Sequence, residues 1–514
     1  MHTNHDAWVS YLDPPYNLHS MATELKSLFH LAVVIAVWAV ASVSLGAEED
    51  RWVAEARQLR AKHQVDLEEL AAWCRQRGLA EQAKQTQDLL GRRDPYKLYL
   101  PVLPEKVGRA ELPADAPADV IEWDTRAAKL GREQANELYE LARRAVRGRR
   151  LSLAYQLVLA AIRANPDHEA VRRIFGYQKY RDRWRTIYEA QQLRAGKVWH
   201  EKFGWLAKAY VRRYEEGYRR NGRDWITAEE DARAHADIHH GWVVETEHYA
   251  VRTNHSLEAG VMLGEKLETL FRIWRNLFLR YHATDAQVVA LFDGRSRVQR
   301  SQRFDVVFFR DRDDYNRSLR AAMPNIGMSI GVYFEQTRRA YFFAGEGYED
   351  RTLFHEATHQ LFHQSRRVAP NVGHRANFWI VEGIALFMES LRREADYHVL
   401  GGFKDERLHA ARYRLLEDNF HVPLDELTTY GMQKLQADKR IATIYSQAAG
   451  VTSFLVFYED GRYRDALVAY LNAVYDGTDK PSTLADLTGT SYPELDKQYR
   501  RFIEQSVRDD ATGR

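Results

Sequence analysis

The segment LFHEATHQL, residues 353–361, constrains the fold more than any other stretch of this 514-residue chain. Its histidines, His355 and His359, lie four apart, a spacing that stacks both imidazoles on one face of an α-helix. No Gly or Pro interrupts the segment before Pro370, and Asp350 or Thr352 supplies an N-terminal cap, so a helix is expected here. Glu356, one step round from His355, stands where a carboxylate can act as general base toward a water on a metal held by the two histidines. The single cysteine, Cys74, rules out both a thiolate zinc cluster and an intramolecular disulfide framework. Any metal site must therefore draw on the 20 His and on carboxylates.

A catalytic zinc takes three protein ligands and keeps one position open. The stretch WIVEGIALFME, 379–389, offers the third ligand in Glu382, 23 positions after His359. That interval lets the first helix end, a loop through Pro370 and Gly373 turn back, and a second helix begin. The neighbours of Glu382 are nearly all apolar, and a carboxylate embedded among them needs a metal or a cation. Gly383 removes a side chain where two helices have to approach closely. Glu389, two turns further on, is placed to hydrogen-bond a ligand histidine. His363 continues the face of His355 and His359, but one straight helix cannot wrap three side chains around a tetrahedral ion. His374, in the loop before the second helix, is a candidate for lining the cleft and binding substrate, with a plain surface histidine as the alternative.

Together these residues resemble the gluzincin metallopeptidases, in which HExxH is followed by a glutamate ligand on a second helix. The wording is similar to the aminopeptidase-N branch, whose second helix reads W-L-x-E-G-x-A-x-Y-x-E. Tyr445, in IYSQAAGVTSFLVFY, resembles that branch's Tyr-x-Lys-Gly-Ala segment, where the tyrosine hydroxyl steadies the oxyanion of the tetrahedral intermediate. The resemblance spans about residues 245–505, half of the chain, and is closest in layout to exported gluzincin-like domains with helical N-terminal regions. It implies one Zn2+ held by His355, His359 and Glu382, with Glu356 and Tyr445 catalytic and a peptide or protein as substrate. Two departures stand out: the Gly-x-Met-x-Asn segment that grips a free amino terminus is missing, and Gln447 and Ala448 replace the lysine and glycine. Exopeptidase specificity is therefore not implied.

Elsewhere the sequence reads as follows. Residues 28–47 are almost wholly apolar, follow Lys26 and end in small residues before Glu48-Glu49-Asp50, the layout of a secretory signal peptide. Some 20 apolar residues also suffice for a retained membrane anchor. Met21 is an alternative start. Either way the body of the protein is expected outside the cytoplasm, secreted or in the periplasm or cell envelope. Residues 48–93 read as a helical hairpin, and five prolines between Pro95 and Pro117 make 94–130 a linker or an extended wrapping segment. Residues 131–238 read as a helical bundle: one helical pair is tetratricopeptide-like, but no second copy follows in register. Aromatics over 177–218 are assigned to helical core packing rather than to a stacking surface.

From 239 to 510 strand patterns give way to helices, so the fold class is α+β, mainly helical, with a small sheet and a helical C-terminal part. The sheet includes a hairpin of 331–334 with Arg339–Phe343, whose second strand, at Arg339, Ala340 and Tyr341, is expected to be the exposed edge on which an extended peptide pairs. With 74 Lys+Arg against 72 Asp+Glu, the net charge of +2 argues against a globally basic nucleic-acid binder. Two other functions fit the same residues: a catalytically silent domain serving a helical binding protein, and a zinc hydrolase acting on a non-peptide amide or ester.

Overall fold

The computed structural model describes residues 51–512 except 91–92, 109–111, 114, 296–302 and 347–348. The signal or anchor segment and Met21 lie outside the described residues. The chain divides into two compact units, 1–58 and 59–514. Of the first, residues 51–58 are described and helical; everything below concerns the second.

The fold is mixed α+β and 59% helical, with small sheets. Residues 59–76 and Ala80–Asp88 are helical, separated by a turn in which Gly78 takes φ 72°. The proline-rich stretch is not a linker to residue 130. Strand β1, Lys97–Pro101, pairs antiparallel with the distant segment 397–401, and a helix, Ala118–Arg147, starts directly after Pro117. Proline density misled because Pro101 and Pro117 sit where no N–H is needed. Pro101 ends an edge strand, and Pro117 stands at the N-cap of the helix.

The helical bundle assigned to 131–238 also needs correcting. The pair Ala118–Arg147 and Leu151–Ala164 is helical, but residues 177–234 form three successive hairpin–helix units. In the first, β2 (Tyr177–Tyr180) and β3 (Arg183–Thr186) lead into helix Ile187–Arg194. The second joins β4 (Lys197–His200) and β5 (Gly204–Ala207) to helix Val211–Glu215. In the third, β6 (Tyr218–Asn221) and β7 (Asp224–Thr227) precede helix Ala228–Ala234. Each unit follows a glycine, Gly176, Gly196 and Gly217, with φ of 91°, 76° and 91°, a left-handed turn that favours glycine. Trp184, Trp205 and Trp225 occupy the same hairpin place. In the first and third units a threonine two residues later closes a capping box, Thr186 with Glu189 and Thr227 with Glu230. Of the aromatics of 177–218, Tyr177, Tyr180, Trp184, Trp199, Trp205 and Tyr218 lie on strands, while Tyr188 and Tyr214 lie on the short helices, so one helical face does not gather them.

The main sheet follows. Strands β8 (Trp242–Glu245), β9 (Tyr249–Thr253), β10 (Phe304–Phe309), β11 (Val332–Phe334) and β12 (Arg339–Phe343) lie in the order β11-β12-β10-β9-β8. Strand β10 is parallel to both neighbours and buried over most of its length, as central parallel strands are. One face carries a cluster that includes Val307, Phe309, Tyr315, Tyr341 and Phe343. Strand β12 is interior, bonded to β10 on one side and β11 on the other, with Ala340 fully buried. The expectation that Arg339, Ala340 and Tyr341 form the exposed edge is therefore wrong; the edge is β11. Two strands, β13 (Arg392–Glu394) and β14 (Tyr397–Gly401), complete the three-stranded sheet that β1 enters.

Helix Phe378–Met388 is the centre of the helical part, every residue buried but Glu382. Its start is fixed by Asn377, which donates to Asp479 Oδ2 at 2.7 Å and Lys480 O at 3.0 Å and accepts from the Tyr470 hydroxyl at 2.6 Å. Helix Ile441–Gly461 crosses it. A Cβ at Gly383 would stand 2.6 Å from Thr452 Oγ1 and 3.0 Å from the Ala448 carbonyl oxygen. Helix Ile441–Gly461 is the one described helix long and apolar enough to cross a membrane, and its apolar window is 72% buried within the protein. Gly383→Ala should force these two helices apart and cost about 1–3 kcal/mol. A denaturant midpoint unchanged from wild type would contradict the close contact.

Candidate metal centre

Helix Asp350–Gln364 carries the HExxH segment. Its N-cap is Glu349, with no side-chain cap bond; Asp350 is already helical and pairs with Lys266 at 2.6 Å, so neither expected residue caps it. His355 and His359 present their Nε2 atoms 3.1 Å apart. Glu382, from the second helix, completes a triangle, with Oε2 3.5 Å from His355 Nε2 and Oε1 3.9 Å from His359 Nε2. Donors about 2.0–2.1 Å from a tetrahedral zinc stand about 3.3 Å from one another; the two histidine nitrogens have about that separation, and one donor atom from each of the three residues lies within 4.8 Å of the others, so the group could hold a metal ion. The three side chains are 13–15% exposed, shielded but reachable.

The ring orientation fits as well. His355 Nδ1 lies 2.9 Å from Glu389 Oε1, and donation to that carboxylate leaves the Nε2 lone pair of the neutral ring aimed into the triangle. Glu389 is held in turn. Its Oε2 accepts from Arg351 Nη2 at 3.2 Å and Arg407 Nε at 3.1 Å. Sequence reasoning found Glu389 but missed both arginines. Arg351 was open to discovery, four residues before His355 on the same helix. Arg407 comes from helix Glu406–Leu416, and nothing in the local pattern points to it.

Electrostatics follow from burial and three converging carboxylates. Burial works against a charged His355, but Glu382 and Glu389 outweigh it and push its pKa up to about 10. His359 has no such partner at hydrogen-bond distance, and burial takes it down to about 3. Burial raises Glu356 to about 7, His355 opposing and Glu382 assisting. Glu382 itself stays below the usual carboxylate range: burial would raise it, but the hydrogen bond to His355 prevails. A proton on His355 thus offsets the carboxylates where a dication would do the same.

Glu356 lies beside the triangle, with Oε2 accepting from the backbone N–H of Tyr333 on β11 at 2.8 Å. Its other oxygen has no hydrogen-bond partner among the described residues. Tyr445 lies in the first turns of helix Ile441–Gly461, and burial together with the Glu382 and Glu356 charges drives its phenol far above its ordinary pKa. Gln447, the departure from the lysine pattern, is buried and structural, accepting from Val422 N at 2.8 Å and donating to Val422 O at 2.7 Å. His363 is not part of the triangle: its Nδ1 lies 3.8 Å from Glu335, and its ring packs on Tyr333 and Tyr475. Arg339, Ala340 and Tyr341 are not brought to the site. His374 is exposed and makes no side-chain hydrogen bond or ion pair among the described residues.

Comparison with protein-family models and with curated proteins returned no match. With the His355 pKa pushed up against burial by Glu382 and Glu389, zinc uptake at pH 8 should release about one proton per ion, read as a titration enthalpy that changes with the ionisation heat of the buffer. An enthalpy independent of buffer would mean that His355 is already neutral.

Proposed function

We propose that this chain is an exported, gluzincin-like zinc metallopeptidase. The observation that carries the reading is the convergence of His355, His359 and Glu382 donor atoms within 4.8 Å of one another, with Glu356 alongside. Lewis acidity toward a water and a carbonyl oxygen is what a zinc bound there supplies. Glu356, anchored through one oxygen by Tyr333, uses the other to take the proton of the attacking water and deliver it to the leaving amine nitrogen. The Tyr445 phenol, kept protonated by its surroundings, donates to the oxygen that becomes negative as water adds to the carbonyl. Glu389, with Arg351 and Arg407 behind it, keeps the His355 ring turned toward the triangle.

The unpaired side of β11 at Tyr333 faces Glu356, so an extended peptide paired along that edge would lie with its backbone beside the base. This favours unstructured peptides as substrates. Export rests on residues 28–47, acting as a signal peptide or as a retained anchor.

The reading is tested by Glu356→Gln. The variant should bind zinc as wild type does and lose at least about 100-fold in kcat toward unstructured peptides. Undiminished kcat would remove Glu356 from the chemistry, and a zinc-loaded wild type that cleaves no member of a mixed peptide library would overturn the peptidase reading.

A further inference from the structure

A second cavity lies away from the metal centre, and its chemistry is independent of the peptidase reading. About 510 Å³ in volume, it sits between the first hairpin–helix unit and helix Leu257–Leu277. Tyr177, Trp184 and Tyr188 from that unit and Arg272 and Arg275 from the helix are among its lining. None of its lining residues is hydrogen-bonded or ion-paired to His355, His359 or Glu382.

The arginines are the unusual feature. Arg272 and Arg275 are three apart on one helix and share a face. Arg275 is 7% exposed, donates through Nη2 to Ile174 O at 3.2 Å, and its Nε has no hydrogen-bond partner. Arg272 donates to Thr269 Oγ1 at 3.4 Å. Behind the aromatic wall lies a third guanidinium. Arg172 is fully buried, over the Tyr177 and Trp184 rings, and donates to Pro166 O at 2.6 Å and Pro104 O at 3.0 Å, while its Nη1 has no partner. None of the three forms an ion pair among the described residues. By contrast, the exposed cations at the rim, Arg173 and Lys179, are paired with Glu169 and Asp167.

A buried guanidinium without a carboxylate is costly unless something else supplies the negative charge. Nearby acids do so only in part. Glu268 is engaged by Thr246 and His248, and Glu189 accepts from the Thr186 N–H in a capping box. Glu247 alone on the lining is unengaged, against the two unpaired guanidiniums there, Arg272 and Arg275. Burial accordingly lowers the pKa of Arg275, and that of Arg172 to about 10, whereas at Arg272 burial is outweighed by Tyr177, Glu268, Glu189 and Glu247, which raise it. We propose that this cavity binds a small organic anion, a carboxylate or phosphate carried on a flat apolar body. The anion sits against Arg272 and Arg275, and the flat body lies along Tyr177, Trp184 and Tyr188. The volume falls within the range of small-molecule pockets, and a forked guanidinium matches a two-oxygen anion.

The test uses phenyl phosphate and benzoate, titrated calorimetrically into the full chain at constant ionic strength, with phenol as the uncharged control. At least one of the two anions should bind saturably, one per chain, and phenol should not. Arg272→Gln, at a half-buried position, should weaken binding by about tenfold or more. The exposed Arg212→Gln should leave it within about twofold. Should Arg275→Gln fail to fold, Arg275→Lys keeps the charge but loses the fork, and weakened binding is expected there too. Preference for phenyl phosphate or for benzoate identifies the head group. The proposal is overturned if neither anion saturates, if phenol binds as well as they do, or if Arg272→Gln binds like wild type.

Discussion

Everything in the candidate centre depends on one carboxylate set among buried apolar side chains. Glu382 is the only polar residue of helix Phe378–Met388, whose other residues are buried and apolar. A lone charge there would be expelled or neutralised. It is retained because His355 and His359 meet it from the neighbouring helix at 3.5 and 3.9 Å. The same demand passes outward. His355 needs Glu389 to set its ring, and Glu389, 5% exposed, needs Arg351 and Arg407. Charge thus alternates from the centre to the surface, and the packing of helices Asp350–Gln364, Phe378–Met388 and Glu406–Leu416 is organised around that alternation.

The centre was readable in sequence because helical periodicity converts spacing into direction: four residues put His355 over His359, and seven put Glu389 on the face of Glu382. What escaped was set by pairing at a distance. The position of β12 inside the sheet depends on β10, some thirty residues earlier in the chain, which no reading of the 331–343 hairpin reveals. Likewise β1 finds β14 across roughly 300 residues, so a proline-rich segment becomes a strand. The hairpin–helix repeats are a different kind of miss. Their signals were local: Asn221-Gly222 is a strong hairpin turn, and Gly…Trp recurs at intervals of 20 or 21 residues, followed by Thr in the first and third copies. The period of 20 or 21 is well short of the tetratricopeptide repeat that the preceding helical pair resembles.

The N-terminal half is therefore built into the sheet-bearing half rather than tethered to it. β1 completes the sheet beside helix Phe378–Met388, Tyr96 donates to Asp509 near the C-terminus at 2.7 Å, and the first repeat unit walls the arginine-lined cavity against helix Leu257–Leu277. Such interlocking gives Tyr445 and Glu389 fixed surroundings, which a site relying on oriented donors requires.

The most direct measurement is the zinc content of the purified protein by mass spectrometry, beside that of Glu382→Ala. The account predicts about one zinc per chain in the wild type and its loss in a variant that keeps its circular dichroism spectrum. A folded wild type without zinc after equilibration with the ion, or a variant that holds it as tightly, would contradict the three-residue centre.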